Sequence, residues 1–195
     1  MMDKLDDLRT QIKNDPENKP FTDKGWEPIY MVDARARVLI IGQAPGAKTQ
    51  EMKGVFHDQS GVRLRSWLGV DEAMFYESGL IAVLPMDFYF PGHGKQGDLP
   101  PRPEFYQKWH PQFLEAMPHV ELVILVGMYA QNVYLKPKAF KTITENVLHY
   151  KMFLPHYFPL IHPSPRNQVW MSRHPEFAEV ILPDLKEHVQ KILNT

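Results

Sequence analysis

The chain contains no cysteine. Disulfides, thiolate-held zinc and Cys-ligated iron–sulfur clusters are therefore excluded, and a reducing compartment is the natural setting. Long apolar runs are missing too: none approaches the ~20 residues needed to cross a bilayer. The opening Met1-Met2-Asp3-Lys4-Leu5-Asp6-Asp7 is charged and unlike a signal peptide, so a cytoplasmic protein that avoids membranes is expected. Neither sign of charge dominates, with 22 basic and 23 acidic residues giving a formal net charge of −1. Such a balance exerts no global pull on nucleic acid, and any such contact has to come from a local basic patch. His93 and His110 stand in no metal-ligand spacing, and no cofactor or metal is expected.

What is present is a globular composition. Of 195 residues, 44% are hydrophobic and 23% charged, enough for one domain that buries about 70% of its unfolded surface. Eighteen prolines and 12% aromatic residues argue for many shaped loops rather than a helical bundle. Leu5, Leu8 and Ile12 mark an amphipathic helix over 3–14. An irregular arm follows to residue 36, pinned to the domain by Phe21, Trp26, Ile29 and Tyr30.

Four apolar runs, 37–41, 80–84, 122–126 and 157–161, lack clean alternation and read as strands buried on both faces. Helical spacing lies between and after them, over 60–68, 103–117, 128–134 and 175–193, the last with Pro183 as a bend. The alternation predicts an α/β fold: a three-layer α/β/α sandwich around a central four-stranded parallel sheet.

Two of the runs end abruptly in Gly/Pro-punctuated loops with polar tips: Gly42-Gln43-Ala44-Pro45-Gly46 and His162-Pro163-Ser164-Pro165-Arg166-Asn167. Loops at the carboxyl ends of strands are where open α/β sheets build sites. A third segment, Gly54-Val55-Phe56-His57-Asp58-Gln59-Ser60-Gly61, precedes a helix. Phe56 reads either as a stacking platform or as core, and Asp58 either as a water activator or as the cap of the helix beginning near Ser60. After the second strand a long loop carries Asp87, either a base-edge acceptor or a solvated carboxylate.

In form and order the two loops resemble the signatures of the uracil-DNA glycosylase superfamily, over roughly residues 37–190. The resemblance implies hydrolysis of the N-glycosidic bond of a flipped, damaged or deaminated base, with uracil as the default, in base-excision repair of double- or single-stranded DNA by a monomer. It implies base binding by Gly42, Ala44, Pro45, Phe56 and Asp87, leaving-group stabilisation by His162, and a water held by Gln43 or Asp58. Ser164, Pro165, Arg166 and Asn167 would contact DNA, with Arg166 as the wedge that fills the vacated stack. Lys48, Lys53, Lys95, Arg102, Lys108 and Arg173 are further candidates for phosphate contacts.

The chain also departs from the pattern. Ala44 stands where other branches carry Asp or Asn, and the related Gly-Glu-Ala-Pro-Gly form has a carboxylate where Gln43 stands. The amide that reads uracil is missing near the end of the second strand, where Ala82 is the nearest equivalent. Two alternatives use the same residues: a lesion-binding module with weak or no catalysis, and a nucleoside- or nucleotide-directed hydrolase.

Overall fold

A computed structural model describes residues 4–95 and 97–195. The predicted first helix is present as α1 (Lys4–Asn14); residue 3, where it was expected to begin, lies outside the described residues. In chain order there follow α2 (Lys19–Thr22), β1 (Val38–Ile41), α3 (Ala47–Met52), α4 (Gln59–Leu68), α5 (Glu72–Tyr76) and β2 (Ile81–Val83). A small hairpin of β3 (His93–Gly94) and β4 (Gly97–Asp98) comes next, then α6 (Phe105–Ala116), β5 (Leu122–Val126), α7 (Met128–Tyr134) and α8 (Ile143–Leu148). The chain closes with β6 (Tyr157–Leu160), α9 (Gln168–Arg173) and α10 (Leu182–Leu193).

The central sheet is parallel, in the order β2-β1-β5-β6. Strand alternation divides its side chains between two cores, which is the signature of a sheet covered on both faces. Val38, Ile40, Ile81, Val83, Ile124 and Val126 join Leu64, Leu68, Leu185 and Val189 from α4 and α10. Leu39, Ile41, Ala82 and Leu125 join Leu8, Ile12, Trp109 and Phe113 from α1 and α6. The expected α/β/α sandwich is thus what the chain forms. Pro159 is accommodated because β6 is an edge strand, where a missing N–H interrupts no further ladder.

Three local expectations are corrected. The helix expected from Pro103 begins at Phe105 and carries Pro111 in its interior. The last helical stretch is not one bent α-helix but a π-helical turn, Phe177–Ile181, running into α10. Pro183 has no N–H to close a regular turn there, so the backbone widens just before it. The loop after β2 is not irregular throughout, since it contains the β3–β4 hairpin.

The N-terminal arm docks as its aromatic residues predict. Phe21 stacks on Tyr89 with centroids 5.0 Å apart, and Tyr30 contacts Phe88 and Phe113 at 5.0 and 4.9 Å. Met31 exchanges both backbone hydrogen bonds with Val83, so the arm lies antiparallel along the free edge of β2. That placement carries Ile29 to the end of the sheet where β1 and β2 stop.

Candidate functional site

From β1 the chain runs to β2 on one side and then crosses from β2 to β5 on the other, so the carboxyl end of β1 is the switch point of the sheet. The first loop starts there. The Met86 N–H donates to Gly42 O at 2.9 Å and the Asp87 N–H to Gln43 O at 3.1 Å, which ties the loop to the segment after β2. The Gln43 side chain is exposed.

Phe56 sits just before α4 with φ at +54°, a left-handed conformation that bulky residues rarely adopt. Its carbonyl is held by the Tyr76 hydroxyl at 2.7 Å and by Arg65 Nη1 at 3.3 Å. Asp58 caps α4, its Oδ1 accepting from the Gly61 N–H at 3.1 Å.

The second loop follows β6 by one residue. Gln131, fully buried, donates from Nε2 to Leu125 O and Leu160 O at 3.2 and 2.8 Å, and Asn146 donates in turn to Gln131 Oε1. This buried network joins the ends of β5 and β6 and sets the point from which His162 projects. The Asn167 amide donates back to His162 O at 2.7 Å, and Ser164 Oγ accepts from the Arg166 N–H. Arg63 of α4 donates to Ser164 O at 3.1 Å, linking the capped helix to the second loop.

These pieces meet in one cleft of about 200 Å³. Gly42, Gln43, Ala44 and Pro45 line one side, Phe56 and Asp58 another, and His162 reaches in from the second loop. Ile29, Val83 and Pro85 make an apolar floor. Thus seven of the residues singled out in the sequence face one space.

The state of His162 follows from its neighbours. Burial holds its pKa below the usual histidine value, against the opposing field of Asp58. Its Nδ1 accepts from the Ser164 N–H at 3.2 Å, and a backbone N–H can only donate. The neutral ring therefore carries its proton on Nε2, as a donor.

Other candidates lie elsewhere. Asp87 is neither a base-edge acceptor nor a solvated carboxylate. It is fully buried, with Oδ2 taking Arg102 Nε at 2.7 Å and Oδ1 taking Arg102 Nη2 at 2.8 Å. The Tyr89 N–H also donates to Oδ1 and the Arg102 N–H to Oδ2, so the carboxylate has no capacity left for a ligand. Arg102 is withdrawn from the phosphate candidates for the same reason, since it also donates to Asn18 Oδ1 and Glu17 O. Lys108 pairs with buried Asp15. Ala82 points into the core opposite the cleft, and the β2 residue that reaches the cleft is Val83. Asn167 braces its own loop, while Arg166 and Pro165 are exposed. Lys48, Lys53, Lys95, Arg166 and Arg173 form no ion pair among the described residues.

Sequence reading missed Ser60 and Asp98, which also line the cleft, and Arg63, which braces it. The signal for Ser60 and Arg63 was available in their place on the first turns of α4. Asp98 gave none, because it arrives on a hairpin of two-residue strands.

One comparison bears on this geometry. The family model described as Uracil DNA glycosylase superfamily matches residues 29–186, which takes in both loops, α4 and the last part of the docked arm.

Proposed function

Since the chain belongs to the uracil-DNA glycosylase superfamily, we propose that it hydrolyses the N-glycosidic bond of a base extruded from DNA, with uracil the first base to test. The observation that carries this reading is the convergence of Gln43, Phe56 and His162 on one cleft sized for a single heterocycle. A base entering it stacks on Phe56, a contact worth roughly 1–3 kcal/mol. Its carbonyl edge meets the backbone amides of the first loop and His162 Nε2–H. As the glycosidic bond breaks, negative charge grows on the base and positive charge on the sugar. A neutral donor already oriented by Ser164 stabilises the anion without reorganising. In this reading Ser164, Pro165 and Arg166 would meet the DNA backbone and fill the vacated stack, with Lys48, Lys53 and Arg173 as phosphate contacts.

The apolar floor of Ile29, Val83 and Pro85 presents no side-chain amide to a base edge. This favours, as a second reading, recognition of a lesion without its removal. Single-turnover assays on duplexes carrying uracil, hypoxanthine, xanthine or mismatched thymine decide the matter, run beside binding to the same duplexes. Base release from one of them is expected. Tight binding with no release from any would select the binding module, and neither release nor binding would reject both.

A further inference from the structure

Among the described residues two carboxylates line the cleft, and they are placed differently. Asp58 uses Oδ1 to cap α4, and its field is the one that reaches His162. It therefore stands beside the departing base, where a negative charge opposes the anion that forms. Asp98 enters from the β3–β4 hairpin and lies against the first loop, its Oδ2 only 3.7 Å from where a β-carbon on Gly46 would sit. Gln43, the only polar side chain of that loop facing the cleft, is neutral and cannot take a proton from water.

Asp98 is also held. His93 Nδ1 lies 3.0 Å from its Oδ1, which leaves Oδ2 toward the loop. The His93 ring packs edge-on against Phe90 with centroids 4.9 Å apart. The Phe90 N–H donates at 2.9 Å to Oε1 of Gln50, a buried residue of α3. The Leu99 N–H closes the base of the hairpin on Gly92 O at 2.9 Å. The helix that begins at the first loop thus anchors the hairpin that brings a carboxylate back to it. A base oriented by a second side chain is the usual form of a proton acceptor.

Resting on the glycosylase reading, we infer that Asp98 is the catalytic residue that holds the attacking water and faces the cationic sugar, with His93 as its positioning residue. The water oxygen bonds to C1′ of the deoxyribose and the C1′–N bond breaks, its electron pair leaving on the base. One water proton passes to the Asp98 carboxylate, which returns it to solvent, and the base anion takes a proton from water. No other co-reactant is needed.

The test is single-turnover release from the best substrate of the panel above, beside binding to a duplex whose target nucleotide is 2′-fluorinated and uncleavable. Asp98→Asn is expected to slow release by about 100-fold or more, with affinity unchanged within about twofold. Asp58→Asn, which keeps a capping side chain, is expected to lose less. His93→Ala should slow release without changing duplex affinity, and His93→Asn, which restores a donor near the Nδ1 position, should recover part of the lost rate. Release by Asp98→Asn at the wild-type rate, or equal loss of rate and affinity, overturns the assignment alone. So does an Asp58→Asn variant that is silenced while Asp98→Asn works. If the wild-type chain frees no base from any duplex, the glycosylase reading fails and the assignment falls with it.

Discussion

Phe56 shows how a single residue is held in an unfavourable conformation for a site. A left-handed φ on a bulky residue costs of order 1–3 kcal/mol, and the hydrogen bonds to its carbonyl from Tyr76 and Arg65 offset it. Gly61 makes the arrangement possible, because a β-carbon there would fall 1.6 Å from Phe56 O. Gly61→Ala is therefore expected to lower stability by at least about 2 kcal/mol and to displace the ring. Urea unfolding checks the first effect and base-analogue binding the second; an unchanged midpoint would show that the segment simply relaxes. His162→Ala should reduce base release about 100- to 1,000-fold while duplex affinity changes little. Equal loss of both would contradict its leaving-group role.

Among elements, one cation adds an ion pair and hydrogen bonds to the aromatic contacts that join the arm to the post-β2 loop. Arg102 lies over the Phe105 and Phe21 rings, 4.2 and 4.8 Å from their centroids, while pairing with Asp87 and bonding Asn18. Removing it leaves a buried carboxylate uncompensated. Arg102→Ala is expected to cost about 3–5 kcal/mol and to expose residues 15–30 to limited proteolysis. Replacing Asp87 with Leu in the same chain should recover much of that stability, because the stranded charge is gone. If the double variant is as unstable as the single one, the aromatic contacts of Arg102 matter more than its ion pair. Ile29, on the same arm, forms part of the cleft floor, so loosening the arm should also weaken base binding.

At the scale of the whole molecule, two responses to solution conditions follow. His110 is buried beside the cleft, bonded to Pro85 O at 2.8 Å and to the Tyr134 hydroxyl at 2.6 Å, and burial pushes its pKa down to about 4. Between pH 6.5 and about 4 the unfolded chain binds a proton that the folded chain refuses. Stability is therefore full above pH 6.5, falls as pH drops through that window, and levels below it, losing about 3 kcal/mol from this residue. His162, shifted the same way, adds to the trend. Chemical denaturation at pH 7 and pH 4.5 measures the drop, which a His110→Gln variant should show only in reduced form. Salt is the second probe. With a net charge of −1, DNA affinity has to arise from local cations, so Arg166→Ala should weaken duplex binding and reduce the salt slope by about one. An unaltered slope would remove Arg166 from the interface.

The amino-acid sequence by itself determined the strands, the layered α/β class and the two loops. Strands covered on both faces must be continuously apolar, and Gly/Pro-bounded turns with polar tips are local chemistry readable within six residues. The cap at Asp58 was legible for the same reason. Tertiary structure alone decided which polar groups were still available for chemistry. Asp87 meets Arg102 15 residues away, Ser164 O meets Arg63 101 residues away, and Asp98 reaches Gly46 on a hairpin too short to leave a periodic pattern. A carboxylate buried against a guanidinium and one aimed at open space look the same in a sequence, because burial and pairing are properties of what folds against them.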